Sequence, residues 1–284
     1  MSSGHPPLPE PLAVAVADSH CHLDIGSEGR DGEDGLPVEE ALARAASVGV
    51  ARIVQVGVDI DSSRWAVEAA NRHEAVVATV SLHPNEAPRI AEREGRTALA
   101  EALAEIDRLA ADPRVRAVGE TGLDYFRTDA DDGRKVQHES FRAHIEMAKR
   151  HGKALVIHDR DAHDDVLRAL TEEGSPDRVV LHCFSGDVEM ARECVRRGYW
   201  LSFAGTVTFK NAAGLRNALT VTPPGQLLVE TDAPFLAPMP HRGSPNASYL
   251  TPLTLRAMAE VKNLPVDDLA AAVDANTTRV FDPW

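Results

Sequence analysis

The chain has 284 residues and a net charge of −14, with 43% hydrophobic and 26% charged residues. That composition is ordinary for a globular enzyme, and the charge argues against a protein that coats duplex nucleic acid through a broad basic surface. No apolar run approaches the 18 residues of a membrane span, and Cys21, Cys183 and Cys194 form neither a CxxC pair nor a disulfide framework.

These features lead us to expect a protein of the reducing cytoplasm, with no membrane contact and no obligate protein partner. Met1 to Pro11 holds four prolines, with neither a basic stretch nor an apolar core. It reads as a short flexible tail, not a signal peptide, ahead of a single domain over residues 12–284.

Apolar, β-branched runs then alternate with helical patterns. The expected strands are Ala13 to Ala17, Ala51 to Val58, Val76 to Leu82, Val115 to Gly119, Ala154 to His158, Arg178 to Leu181, Trp200 to Phe203 and Leu227 to Thr231. Between them, Val38 to Val48, Ser63 to Arg72, Ala98 to Ala111, Lys135 to His151, Ala162 to Glu173 and Val188 to Arg197 show apolar residues near helical spacing. Several end near glycine, as helix C-termini do. Eight near-continuous apolar strands with intervening helices indicate an α/β fold of the (β/α)8 TIM-barrel type. A doubly wound sheet is the competing architecture. The acidic, glycine-rich Ser27 to Gly35 reads as a solvated loop, or as a lip on the active face.

Polar residues recur where the apolar strands run out. The first strand leads into Asp18-Ser19-His20-Cys21-His22-Leu23-Asp24, and alternation along a strand puts His20 and His22 on one side. Glu120, His158, His182 and Asp232 follow at the ends of later strands, with His83 at the end of the third. In a barrel such positions converge on the C-terminal rim, where active sites are built. Four histidines and two carboxylates are more ligands than one catalytic zinc uses. They suit two divalent cations (Mg, Mn or Zn) sharing a bridging carboxylate. Glu120 is the expected bridge, His158 and His182 complete one ion's shell, and Asp232 joins His20 and His22 at the other. Asp232 is also the expected proton acceptor.

Taken together, the motifs resemble the TatD family of metal-dependent deoxyribonucleases, within the wider amidohydrolase-like superfamily. The matching stretches are DSHCHLD (residues 18–24), LHP (82–84), GETGLDYF (119–126), IHDRDA (157–162), LHCFSG (181–186), TFKN (208–211), ETDAPFLAP (230–238) and NTTRVF (276–281). The resemblance implies the same six metal ligands and hydrolysis of DNA phosphodiester bonds. Two stretches depart from the family pattern. The acidic 27–35 loop looks long, and HRGSPNASYL (241–250) keeps Arg242 but replaces neighbouring basic residues.

Around the ligands, His83, Lys210 and Arg242 are candidate contacts to a substrate phosphate. Arg160 and Asp161 are expected to pair with each other or with neighbouring loops, and Cys21 and Cys183 to face away from the site. Ser185 lacks a base spaced to activate it and reads as part of a turn. The acidic surface favours single-stranded ends or short oligonucleotides, because few phosphates can be neutralised outside the pocket. The same fold also accommodates an amidohydrolase or a deacylase, for example one acting on aminoacyl-tRNA. Many amidohydrolases bridge their metals with a modified lysine on the fourth strand, where this chain has Glu120. A non-catalytic binding protein on the same barrel is the remote reading.

Overall fold

The computed structural model describes residues 4–25 and 35–283. The expectation for residues 27–34 of the acidic loop lies outside them. In chain order the strands are β1 (Val16–Cys21), β2 (Val50–Val56), β3 (Val76–Val80), β4 (Val115–Asp124), β5 (Ala154–Arg160), β6 (Val179–Leu181), β7 (Trp200–Phe203) and β8 (Leu227–Val229). The helices are α1 (Val38–Ser47), α2 (Ile60–Arg72), α3 (Glu86–Arg93), α4 (Arg96–Leu109), α5 (Asp131–His151), α6 (His163–Glu173), α7 (Val188–Arg196), α8 (Ala213–Val221), α9 (Thr251–Lys262) and α10 (Val266–Phe281). Neighbouring strands in the sheet follow chain order from β1 to β8, as in the expected (β/α)8 barrel.

Contacts cluster in two compact units, one built from the chain up to Gln55 with Gly186–Arg279, the other from Val56–Ser185 with Val280–Asp282. In the first, β1 pairs in parallel with β2 and β7 with β8, and a bridge from Cys21 to Ala233 joins β1 to the end of β8. In the second, β3, β4, β5 and β6 pair in parallel, in that order. Strands such as β3 (VVATV) are buried at every position, as expected for parallel strands covered on both faces.

Local chemistry sets the helix ends. Asp59 caps α2 by accepting from the Ser62 N–H, and the Ser62 hydroxyl reaches back to the Asp59 N–H at 3.0 Å, a reciprocal pair that satisfies two orphan donors. Gly152 ends α5 in the left-handed region at φ 61°, which costs glycine little. Along α5, Phe141, Ile145 and Ala148 face inward at helical spacing.

One expectation is corrected. β1 starts at Val16 rather than Ala13 and runs through His20, so the metal-type histidines sit on and just after the strand instead of beyond it. In the N-terminal segment two backbone carbonyls are held by side chains of the domain. The Pro6 carbonyl accepts from the Tyr249 hydroxyl at 2.5 Å, and the Glu10 carbonyl from Arg256 at 2.8 Å. Captured carbonyls and the burial of Pro6 hold this proline-rich stretch.

Candidate metal centre

In the first unit, His20, His22 and Asp232 bring three ligand atoms within 4.8 Å of one another. Strand alternation puts both imidazoles on one side, and the Asp232 Oδ1 lies 3.7 Å from His20 Nε2 and 3.5 Å from His22 Nε2. These separations are too long for hydrogen bonds. They are close to the roughly 3.4 Å between two tetrahedral ligands about 2.1 Å from one ion, so the donor set fits a divalent cation.

Asp232 reaches this place through a turn with positive φ, 56°, which an Asp tolerates better than most residues. Its N–H donates to the His20 carbonyl (2.9 Å), and its carbonyl accepts from Phe235 N–H (2.9 Å). Asp18 ties the two ligand segments together. Its carboxylate accepts from the N–H (2.9 Å) and hydroxyl (2.5 Å) of Thr231 and from the His20 N–H (3.3 Å). Burial pushes the Asp18 carboxyl up to about 7, against the lowering effect of those hydrogen bonds and one from Ser248. Asn246, also buried, clamps the segment beyond, donating to the Thr231 carbonyl at 2.9 Å and the Phe235 carbonyl at 2.5 Å. Behind His22, Gln55 accepts from Leu23 N–H and donates to Asp24.

In the second unit, Glu120 is the hub. Its Oε1 lies 2.6 Å from His158 Nδ1, 2.9 Å from His182 Nε2 and 3.6 Å from His83 Nε2. Glu120 sits in the middle of β4, not at its end, because β4 runs on to Asp124. The flanking glycines make this possible. A Cβ on Gly119 would stand 2.4 Å from the Val156 carbonyl oxygen, and one on Gly122 would stand 2.0 Å from that of His158. Only glycine permits so close an approach of β4 to β5. Ser81 fixes the Glu120 backbone by donating to its carbonyl at 2.7 Å.

Asp124 closes this cluster, with Oδ2 at 3.3 Å from His158 Nε2 and 3.0 Å from Asn85 Nδ2. Burial works against its charge, but hydrogen bonds from His158, Asn85 and the Arg127 N–H hold its carboxyl well below the usual range. His158, although buried, is pushed up to about 8 by its bonds to Asp124 and Glu120. Burial lowers His83, against the attraction of the Glu120 carboxylate. The Asn85 N–H donates to His83 Nδ1 at 3.1 Å. That nitrogen is therefore an acceptor, and His83 Nε2 carries the proton of the neutral ring. His83 is thus built as a donor among ligands.

The structure brings the six predicted ligands into two sets, His20 with His22 and Asp232, and Glu120 with His158 and His182. Lys210 and Arg242 also come together. Arg242 lies over the Phe209 ring at 4.5 Å, beside exposed Lys210. Arg160 packs over the Phe126 ring rather than on Asp161. Cys21 is buried, and burial and then the nearby Asp18 charge push its thiol up. Ser185 donates to the Asp159 carbonyl at 3.1 Å. Sequence reasoning gave Asp18 and Asn246 no role and left Asp124 outside the site. The available signal was that Asp18 opens the HxH motif and Asp124 ends the run that begins at Glu120.

The family model described as TatD related DNase matches residues 17–282. The chain belongs to this family. It is 45% identical over 269 residues to the uncharacterized metal-dependent hydrolase TatD of Mycobacterium tuberculosis, covering 94% of this chain and 97% of the relative. It is 36% identical to the uncharacterized metal-dependent hydrolase YabD of Bacillus subtilis, covering 93% and 98%. Among solved structures, YJJV, a TatD homolog from Escherichia coli K12, superposes with a TM-score of 0.82 at 28% identity, covering 95% of this chain and 98% of that one. The chain is a metal-dependent hydrolase of the TatD family, and its clustered histidine and carboxylate groups fit divalent-metal binding. No helix among the described residues is long and apolar enough to cross a membrane.

Proposed function

We propose that this hydrolase cleaves phosphodiester bonds in DNA, at single-stranded ends or in short oligonucleotides, with two divalent cations. The observation that carries the reading is the pair of mixed histidine–carboxylate donor sets in a chain that matches the TatD-related DNase model almost end to end. His20, His22 and Asp232 would hold one ion, and Glu120, His158 and His182 the other. When bound, the ions supply positive charge against the phosphate and a nucleophile at neutral pH.

The chain's own groups divide the remaining work. Asp232 is the most accessible of the ligand carboxylates, with its side chain 16% exposed against 6% for Glu120. That greater exposure makes it the proton acceptor for the attacking water. His83, protonated at Nε2, donates to a phosphate oxygen and orients it. Arg242, steadied on Phe209, and Lys210 meet the phosphate next along the strand. With a net charge of −14, few further phosphates are neutralised, which favours short single strands over long duplex.

A panel assay of the metal-reconstituted protein tests this reading against single-stranded DNA, duplex DNA, RNA, and amide and lactone substrates. Single-stranded DNA is expected to be cleaved fastest. Turnover of amides or lactones with none of any nucleic acid overturns the proposal in favour of an amidohydrolase.

A further inference from the structure

The segment that leaves β4 carries an aromatic ring with no place in the protein core. Phe126 is 63% exposed, while its neighbour Tyr125 is tied inward by its hydroxyl, which donates to Asp165 at 2.5 Å and meets His138 at 2.6 Å. Isolated exposed hydrophobics are common and need no explanation by themselves. Here the ring is held in place. Tyr125 N–H donates to the Arg160 carbonyl at 2.9 Å, and Arg127 N–H to the Asp124 carboxylate at 2.8 Å. Buried Gln137 accepts from Asp124 N–H and donates to the Asp124 carbonyl and the Thr128 hydroxyl. Phe126 is thus fixed two residues from the carboxylate that touches His158.

One face of the ring is occupied. The Arg160 guanidinium carbon lies 3.8 Å from its centroid, in cation–π range. A guanidinium on one face leaves the other for a flat partner. From the same turn an open groove of about 900 Å3 runs past Asn85, Arg127 and Thr128 towards Arg89, Arg96 and Lys135, at the upper end of ligand-cleft volumes. Arg89 pairs with Glu86, Arg96 with Glu139 and Lys135 with Asp132. Arg127 makes no ion pair among the described residues, so its charge is available to a ligand. Glu92, Asp129, Asp132 and Glu139 also line the groove, so its four basic residues are balanced and charge alone does not grip a polyanion there.

We propose that Phe126, backed by Arg160, is a stacking platform for a base of a single-stranded nucleic-acid substrate, and that Arg127 takes the phosphate beside that base. The inference rests on the phosphodiesterase reading above and adds the sequence-tolerant subsite which that reading lacks. Stacking on an aromatic ring accepts any base, because every base has a π-face. In a charge-balanced groove the stack, more than the counterions, supplies the hold. Arg127 accounts for about one phosphate, so Arg127→Ala lowers the slope of log affinity against log salt by about 0.7.

The test uses metal-loaded full-length protein and a short single strand carrying 2-aminopurine, whose fluorescence is quenched on stacking. Wild type and Phe126→Trp are expected to quench it, and Phe126→Ala to lose the quenching. Phe126→Ala is also expected to raise KM on the natural strand by about 5- to 150-fold with little change in kcat, while KM on a strand of abasic sites stays unchanged. Intact quenching in Phe126→Ala, or an equal KM change on natural and abasic strands, overturns the platform. A wild type that cleaves no nucleic acid but quenches through Phe126 overturns the phosphodiesterase reading and leaves the platform standing. A wild type that does neither overturns both.

Discussion

The two donor sets use similar residues but are held differently. In the first, Asp232 stands 3.5 and 3.7 Å from the imidazole nitrogens, and the short hydrogen bonds lie behind the ligands, on Asp18 and Gln55. In the second, Glu120 is itself bonded to His158 and His182 at 2.6 and 2.9 Å. The first set is spaced for an ion from the outset. The second is stitched by its own protons, and a cation must break those bonds to enter. The difference predicts unequal affinity for a cation in the two sets.

The largest expected effect tests the first set. Asp232→Asn can still offer a carbonyl oxygen to an ion but cannot take a proton, so turnover should fall by about 100- to 10,000-fold with metal retained. Single-turnover cleavage of a short oligonucleotide and metal content on one preparation check this. A variant that keeps both metal and near-normal cleavage places the base elsewhere.

In the second set, Glu120→Ala should cost more than His83→Ala, because it removes the hub of three imidazoles. His83→Ala removes one donor to a charged group, about 1.5–3 kcal/mol or roughly 10- to 150-fold. Equal losses at saturating metal would erase the distinction between hub and donor.

The unit that carries the second set also rests on a neutral imidazole. Buried His144 accepts from Leu82 N–H at 3.0 Å, and burial pulls it down to about 4, against its bond to the Ser140 carbonyl. An unfolded histidine takes its proton near 6.5. As pH falls from about 6.5 to 4 the unfolded chain binds the proton first, so stability drops, by on the order of 3 kcal/mol in full. Above 6.5 this contribution is complete. Urea unfolding at pH 7 and pH 4.5 should show a steeper loss for wild type than for His144→Gln, which can still accept from Leu82. Equal slopes would remove His144 as the cause.

Smallest is the difference in metal affinity. Two hydrogen bonds net about 1 kcal/mol each, so graded chelation should empty the second set first, with affinities separated by about 30-fold. Simultaneous loss of both ions would make the two sets one cooperative unit.

The residues that cluster in the two donor sets were legible because each follows or closes an apolar run, a pattern that period and composition expose. The extent of β4 was not. The expected strand stopped at Gly119, whereas in the fold Gly119 and Gly122 let β4 lie against the β5 carbonyls and carry Glu120 and Asp124 on one strand. Asp18 was hidden for a related reason. Its partners, Thr231 and His20, come together only through the β1–β8 pairing, and a carboxylate's hydrogen bonds across 213 residues leave no local trace.

The Asn246 clamp has a consequence for how such a hydrolase can diversify. By holding the Thr231 and Phe235 carbonyls from one buried amide, it fixes the chain on both sides of Asp232 and isolates that ligand from residues 236–245. That stretch can lengthen, shorten or change charge without moving Asp232. Substrate preference and metal chemistry are thereby placed under separate selection, with one asparagine as the partition between them.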